Sequence, residues 1–368
     1  DTDSPIVRTL REKGAVILGK TNMTEFANFL TDGMPGGFSS LGGQVVNAYD
    51  KNYTPSGSSS GSAVAMSARL CSFAVGTDTS FSVVACATDN GVVGFKPAVG
   101  TIPTAGVIPI TSALDEFGFF TRDMADMLFV AERLAITPVS EPVVSQGLSV
   151  SSETDITRSA SLRKSLAVWM FNREYVSEAQ LARYEMLFDR MKAGGWSFTT
   201  QPGRNTFKLQ EIGLRRFSME LREYLKNHKG SATGKITPEA ILETYRKDPE
   251  KLAPYGTRFL ERSLEYEYDS ENTHAIEDIQ SEMNQEHKRL TEELAGFDCC
   301  VMTGPTCIIH FAGLPSLSLP FTVAAKNGLP RTVILFGTDM WKLLAAGKEI
   351  ERYGDPIPLP KLTDAFTR

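Results

Sequence analysis

The sequence predicts an α/β protein. A capped opening segment with helical spacing gives way at once to a short apolar run bounded by glycines. Strand-like runs broken by Gly and Pro recur near 90–110 and at 299–336, and between them apolar residues repeat with helical spacing. Alternating helices and short buried strands form layers in which each element hides an apolar face.

In order, Asp3-Ser4-Pro5 opens a helix, because a capping residue precedes a proline whose missing N–H costs nothing in the first turn. Ile6, Val7 and Leu10 mark its apolar face, and Gly14 stops it. Ala15-Val16-Ile17-Leu18 then reads as a buried strand. Gly19-Lys20-Thr21 suggests a phosphate loop, but Lys13 stands where that motif needs its first glycine. Residues 31–62 read as a long loop rich in Gly, Ser, Pro and Asn, and loops of that length inside a domain are commonly functional. Two Ser/Gly-rich loops, Ser56–Ser62 and Gly76–Ser82, bracket the apolar segment Ala63–Val75.

Asn90–Pro97, Gly100–Pro103 and Gly106–Ile110 read as short β runs, and Arg122–Val130 resumes helical spacing. Residues 137–162 are a Pro/Ser/Val-rich boundary or excursion. Glu178–Lys192, Leu209–Lys226, Pro238–Arg246 and Ile276–Leu294 combine helix-period apolar positions with dense charge, so 163–297 reads as a mostly helical insertion. Cys299–Met302, Gly313–Phe321, Leu329-Pro330 and Thr332–Phe336 read as strands, and a helix with a Pro-rich tail closes the chain.

The 368 residues suffice for a substantial core, and 42% hydrophobic with 22% charged residues is ordinary globular composition. A net charge of −6 argues against a general nucleic-acid binder. No uncharged run reaches the roughly 20 apolar residues of a membrane span. The start of the chain shows no signal-peptide core, and a cytoplasmic location is expected. The five cysteines form no CxxC pair and read as free thiols, so neither metal nor cofactor is expected.

A serine hydroxyl needs a base to become a nucleophile. The four histidines, His228, His274, His287 and His310, lie in the helical region or near the C-terminus, none in a nucleophile motif. Gly57-Ser58-Ser59-Ser60-Gly61 matches the G-x-S-x-G elbow formally, with no strand clearly before it. The serines therefore suggest a Ser–Lys type of site more than a Ser–His–Asp triad.

Here the residues resemble the amidase signature hydrolases, whose motif is a Gly/Ser loop, a small-residue helix and then Gly-Thr-Asp-Thr-Gly-Gly-Ser. Gly14–Phe26, Val93-Gly94-Phe95-Lys96-Pro97, Gly106-Val107-Ile108-Pro109 and Ala312-Gly313-Leu314-Pro315 look like their family counterparts in the same order. The resemblance covers about 1–130 and 296–350. It implies a single domain with a mixed central β-sheet surrounded by α-helices, residues 163–297 being an insertion on the substrate side. It further implies Ser82 as nucleophile, and Ser58 as the serine that precedes a cis peptide bond and passes the proton. The amides of Thr79, Ser80, Phe81 and Ser82 would form the oxyanion hole.

Three departures bear on the chemistry. The family's third catalytic member is a Lys well upstream of Gly19-Lys20-Thr21-Asn22, so the chain is expected to lack the N-terminal part of the domain that carries it. Lys20 and Lys96 match other, structural positions. Ser80-Phe81 stands where the family has Gly-Gly, and Val83–Cys86 replaces the Arg and Pro that usually follow the nucleophile. Cys86 reads as a packing residue. Three readings stay open: an amidase acting on a small-molecule amide, a catalytically impaired amidase-like binding protein or truncated product, and the amidase component of a glutamine-dependent transamidation complex. A homodimer is one assembly the resemblance allows.

Overall fold

The computed structural model describes residues 3–134, 161–170, 177–206, 208–227, 236–266, 268–304, 306–324 and 326–362. The helices are α1 (Pro5–Glu12), α2 (Ser60–Ser67), α3 (Val84–Asn90), α4 (Met124–Arg133), α5 (Glu178–Ala193), α6 (Lys208–Asn227), α7 (Pro238–Lys247), α8 (Pro249–Leu252), α9 (Arg258–Ser263), α10 (Ser270–Leu294), α11 (Ile308–Phe311) and α12 (Met340–Glu351). The strands are β1 (Phe38–Ser39), β2 (Gly43–Gln44), β3 (Ala74–Asp78), β4 (Val93–Lys96), β5 (Glu116–Thr121), β6 (Ser165–Met170), β7 (Ser197–Pro202), β8 (Cys299–Met302), β9 (Ser316–Val323) and β10 (Pro330–Phe336).

Eight strands form one sheet in the order β3-β5-β4-β9-β10-β8-β6-β7. The β6–β7 and β6–β8 pairs are parallel and the others antiparallel, so the sheet is mixed. Alternation along β9 shows how the layers form. Leu317, Leu319 and Phe321 enter the core that also holds Met124, Met127, Leu343 and Leu344 of α4 and α12. Ser318, between them, turns to the opposite face and meets Thr88 of α3 at 3.1 Å. Each fully buried Leu, Met or Phe stabilises this core by about 1.5–3 kcal/mol.

Local signals place the helices well. Ser4 stands at the N-cap of α1 with Pro5 in the first turn, and Asp123, Ser177 and Asp269 accept backbone N–H groups at the starts of α4, α5 and α10. The apolar segment Ala63–Val75 divides into most of α2 and the start of β3.

Strand readings fare unevenly. Ala15–Leu18 is not a strand: Val16 and Leu18 are 82% and 73% exposed, and the four residues pair with no strand among the described residues. An apolar run becomes a strand only where a partner edge meets it. Gly100–Pro103 and Gly106–Ile110 form turns and irregular chain, and within Asn90–Pro97 only β4 forms. The 163–297 stretch is not helical throughout, since β6 and β7 extend the main sheet from β8. The expected boundary at 137–162 falls almost wholly outside the described residues, as does His228. Among the described residues no helix is long and apolar enough to cross a membrane.

Candidate active site

Two serine-bearing loops converge at one corner of the sheet. The first leads into α2. Its Gly57–Ser58 peptide bond is cis, so the bond precedes Ser58 rather than following it as expected. Ser58 is fully buried, its carbonyl accepts the Thr24 N–H (3.0 Å), and its hydroxyl has no hydrogen-bond partner among the described residues.

Ser59 fastens this loop to the end of β3. Its hydroxyl accepts the Thr77 N–H at 3.0 Å and donates to the Thr77 carbonyl at 2.9 Å. That approach requires Gly76, because a Cβ there would sit 2.6 Å from Ser59 Oγ. Ser62 adds a bond to the Val75 carbonyl at 2.8 Å.

The second loop, residues 79–83, runs from β3 to α3 and carries Ser82, which is 8% exposed. Thr79, Ser80 and Phe81 are half-buried, and their amides, with that of Ser82, lie between the two elements and belong to neither ladder. Asp78 Oδ2 accepts the Val83 N–H at 2.7 Å, tying the two ends of the loop together. Thr79 donates to Asp115 Oδ1 at 2.6 Å, while Asp115 Oδ2 accepts the Ile110 and Thr111 amides at 2.9 and 3.1 Å. The Phe81 ring lies 5.1 Å from that of His310, whose Nδ1 is 3.0 Å from Asp78 Oδ1.

Beneath the loop lies a buried charge cluster. Asp78 is paired with Glu116, and Lys96 continues the neighbouring strand next to Phe95, which pairs with Phe119. By strand alternation these three side chains share the face that α3 covers. That face is close-packed: a Cβ on Gly118 would lie 2.5 Å from Val83 Cγ2. Lys96 is 1% exposed, and its ammonium has no hydrogen-bond partner among the described residues. Burial lowers its pKa, while Asp78 and Glu116 pull the other way.

Burial pushes the Glu116 carboxyl up to about 7 against the Phe117 amide, Lys96 and the Ile102 and Thr101 amides. Burial likewise raises Asp115 to about 7, despite the bond from Thr79 and the two amides. Burial also opposes the Asp78 carboxylate, but His310, Lys96 and the Val83 amide outweigh it and hold its pKa below the usual range. His310 is kept below the ordinary histidine value by burial, partly offset by Asp78.

A cavity of about 280 Å³ adjoins this corner. Thr104–Val107, Pro109, Ser112 and Asp115 line it, together with Tyr224 and Asn227 of α6. Through Asp115 its wall is one hydrogen bond from Thr79. The charged helices therefore reach the neighbourhood of the loop.

Sequence reading singled out Ser58, Ser82, Thr79, Ser80 and Phe81, and the structure brings their two loops together. It did not find the roles of Asp78, Asp115, Glu116 or His310. Asp78 sits inside the quoted motif and could have been flagged, whereas His310 is remote in the chain and carries no motif. Cys86 is fully buried and burial raises its thiol far above the ordinary value, as a packing residue requires.

The amidase family model matches residues 1–307. A probable amidase of Arabidopsis thaliana is 42% identical over 132 residues, 36% of this chain and 26% of that protein. A component of the glutamyl-tRNA(Gln) amidotransferase of Syntrophobacter fumaroxidans is 40% identical over 133 residues, again 36% of this chain and 26% of that one. The matched part thus spans about a quarter of the length of these curated relatives. Among solved structures, an amidase family protein from Bacillus anthracis superposes with a TM-score of 0.86 at 26% identity, covering 98% of this chain and 73% of that one. The native peptide amidase of Stenotrophomonas maltophilia gives 0.82 at 26% identity, covering 97% and 77%.

Proposed function

The chain belongs to the amidase family, and on that premise we propose that it is an amide hydrolase working through an acyl-enzyme on Ser82. The supporting observation is the fastening of Ser59 to Thr77, which joins the Ser58 loop to the strand end that leads to Ser82. Ser82 Oγ attacks the carbonyl carbon of a small-molecule carboxamide, and its proton passes through Ser58 to a neutral lysine. The developing oxyanion takes hydrogen bonds from the amides of Thr79, Ser80, Phe81 and Ser82. The C–N bond then breaks, the amine leaves with the proton returned through Ser58, and water repeats the sequence to free the acid.

The family resemblance implies a lysine as this base. Lys96 instead shares the sheet face of Asp78 and Glu116, whose charges favour its protonated form against burial. Loss of such a base costs about 10²–10⁴-fold from proton transfer alone.

A second reading, an amidase-like protein that binds without turnover, is favoured by the side chain of Phe81 where the family motif has glycine. A fluorophosphonate probe separates the two. The hydrolase reading expects one Ser82-linked adduct, absent in Ser82→Ala. A folded full-length protein with no such adduct would sink it and leave the binding reading.

A further inference from the structure

We propose that His310, on α11, is a positioning residue that clamps the nucleophile loop. The inference rests on the hydrolase reading for its catalytic consequence, though the clamp itself can be measured without turnover.

His310 touches the loop at two separated points. Its Nδ1 lies 3.0 Å from Asp78 Oδ1, where the loop leaves β3. Its ring packs at 5.1 Å and 60° against Phe81, immediately before Ser82. The other oxygen of Asp78 holds the Val83 amide, so one carboxylate joins His310 to the far end of the loop. The Phe81 carbonyl accepts the Ala85 N–H at 2.9 Å, which couples the same residue to the first turn of α3.

The clamp has a fixed base. His310 is 1% exposed and sits on α11. The Cys307 amide before this helix donates to Asn205 Oδ1 at 2.7 Å, and His287 of α10 contacts the Ala312 carbonyl after it at 2.8 Å. Phe81 also packs against the cluster containing Trp169, Ile309 and Leu314. The loop thereby packs against α11 through Phe81. Side-chain packing fixes its path at a position where the family motif has glycine, whose backbone is less constrained.

Asp78 and Lys96 act on the ring, Glu116 acts on Lys96, and Cys307 precedes the ring's helix at its N-cap. The contact is a close approach of Nδ1 to the carboxylate at 3.0 Å, and among the described residues neither Nδ1 nor Asp78 Oδ1 has a hydrogen-bond partner.

The test uses the full chain and three variants. His310→Phe keeps a ring against Phe81 but loses the contact to Asp78. His310→Asn keeps a polar group and loses the ring. Phe81→Leu removes the ring contact from the loop side and serves if the buried variants fail to fold. Amide exchange in peptides covering 78–84 should quicken by about tenfold or more in each variant, while β9 and β10 exchange as in the wild type. The maximal rate of Ser82 phosphonylation should fall by about tenfold, with the half-saturating probe concentration unchanged. Exchange at 78–84 equal to wild type in the folded variants would overturn the clamp. A wild-type chain that takes no label would instead defeat the hydrolase reading, and exchange alone would then decide the clamp.

Discussion

Replacing Lys96 with Met tests the buried charge cluster that supports the loop. The substitution keeps a long side chain on β4 and removes the positive charge that faces Asp78 and Glu116. Among the described residues Lys96 Nζ has no hydrogen-bond partner, so its charge acts on both carboxylates through the poorly screened interior rather than through a direct contact. The cost of losing it should depend on pH in a defined direction. The folded-state pKa of Glu116, about 7, is above its ordinary 4.5. For an acid raised in this way, the native state holds more protons than the unfolded one between those values. Its contribution to stability is therefore intact below about 4.5 and is lost as pH climbs to about 7. Without Lys96, which lowers the pKa of Glu116, the carboxyl titrates still higher and the loss continues beyond pH 7. Urea unfolding followed by tryptophan fluorescence at pH 5 and pH 8 reads this directly. The variant should lose about 1 kcal/mol more at pH 8 than at pH 5, since suppressing Glu116 ionisation between pH 7 and pH 8 supplies at most about 1.4 kcal/mol per pH unit. An equal loss at both pH values, or none at pH 8, would refute the action of the Lys96 charge on Glu116.

Asp115→Ala strands the Thr79 hydroxyl and two amides, so stability should fall by about 1–3 kcal/mol for each group left buried and unpaired, as seen in urea midpoints. Ser82 phosphonylation in the same variant should slow, because Thr79 loses its anchor. Gly76→Ala forces a Cβ to within 2.6 Å of Ser59 Oγ, and the overpacking should cost about 1–3 kcal/mol in thermal or urea unfolding while slowing phosphonylation. Val16→Ser, at a position 82% exposed, should leave unfolding within about 0.5 kcal/mol of wild type.

The helices were legible because their signals are local. The Ser4-Pro5 start, the Ser177 and Asp269 caps and the apolar spacing of α6 all lie within the segments they specify. Strands were legible where a run was buried on both faces, as in β8 and β10, and misread where apolar character stood alone. Ala15–Leu18 and Val93–Lys96 are both short and framed by Gly or Pro, yet only the second meets neighbours, β5 and β9. Nothing in either run states which edge it will find.

The sequence by itself determined the family, through motifs in register, and with it the two loops that carry Ser58 and Ser82. A motif preserves this information because each of its residues answers to a backbone geometry a few positions away. The tertiary structure alone decided what holds those loops. Asp78 meets His310 and Lys96, Thr79 meets Asp115, and Ser59 meets Thr77 only after β3, β5 and β4 align and α11 packs behind them. Such contacts join residues far apart in the chain, and sheet order and register, which local patterning leaves open, choose the partners.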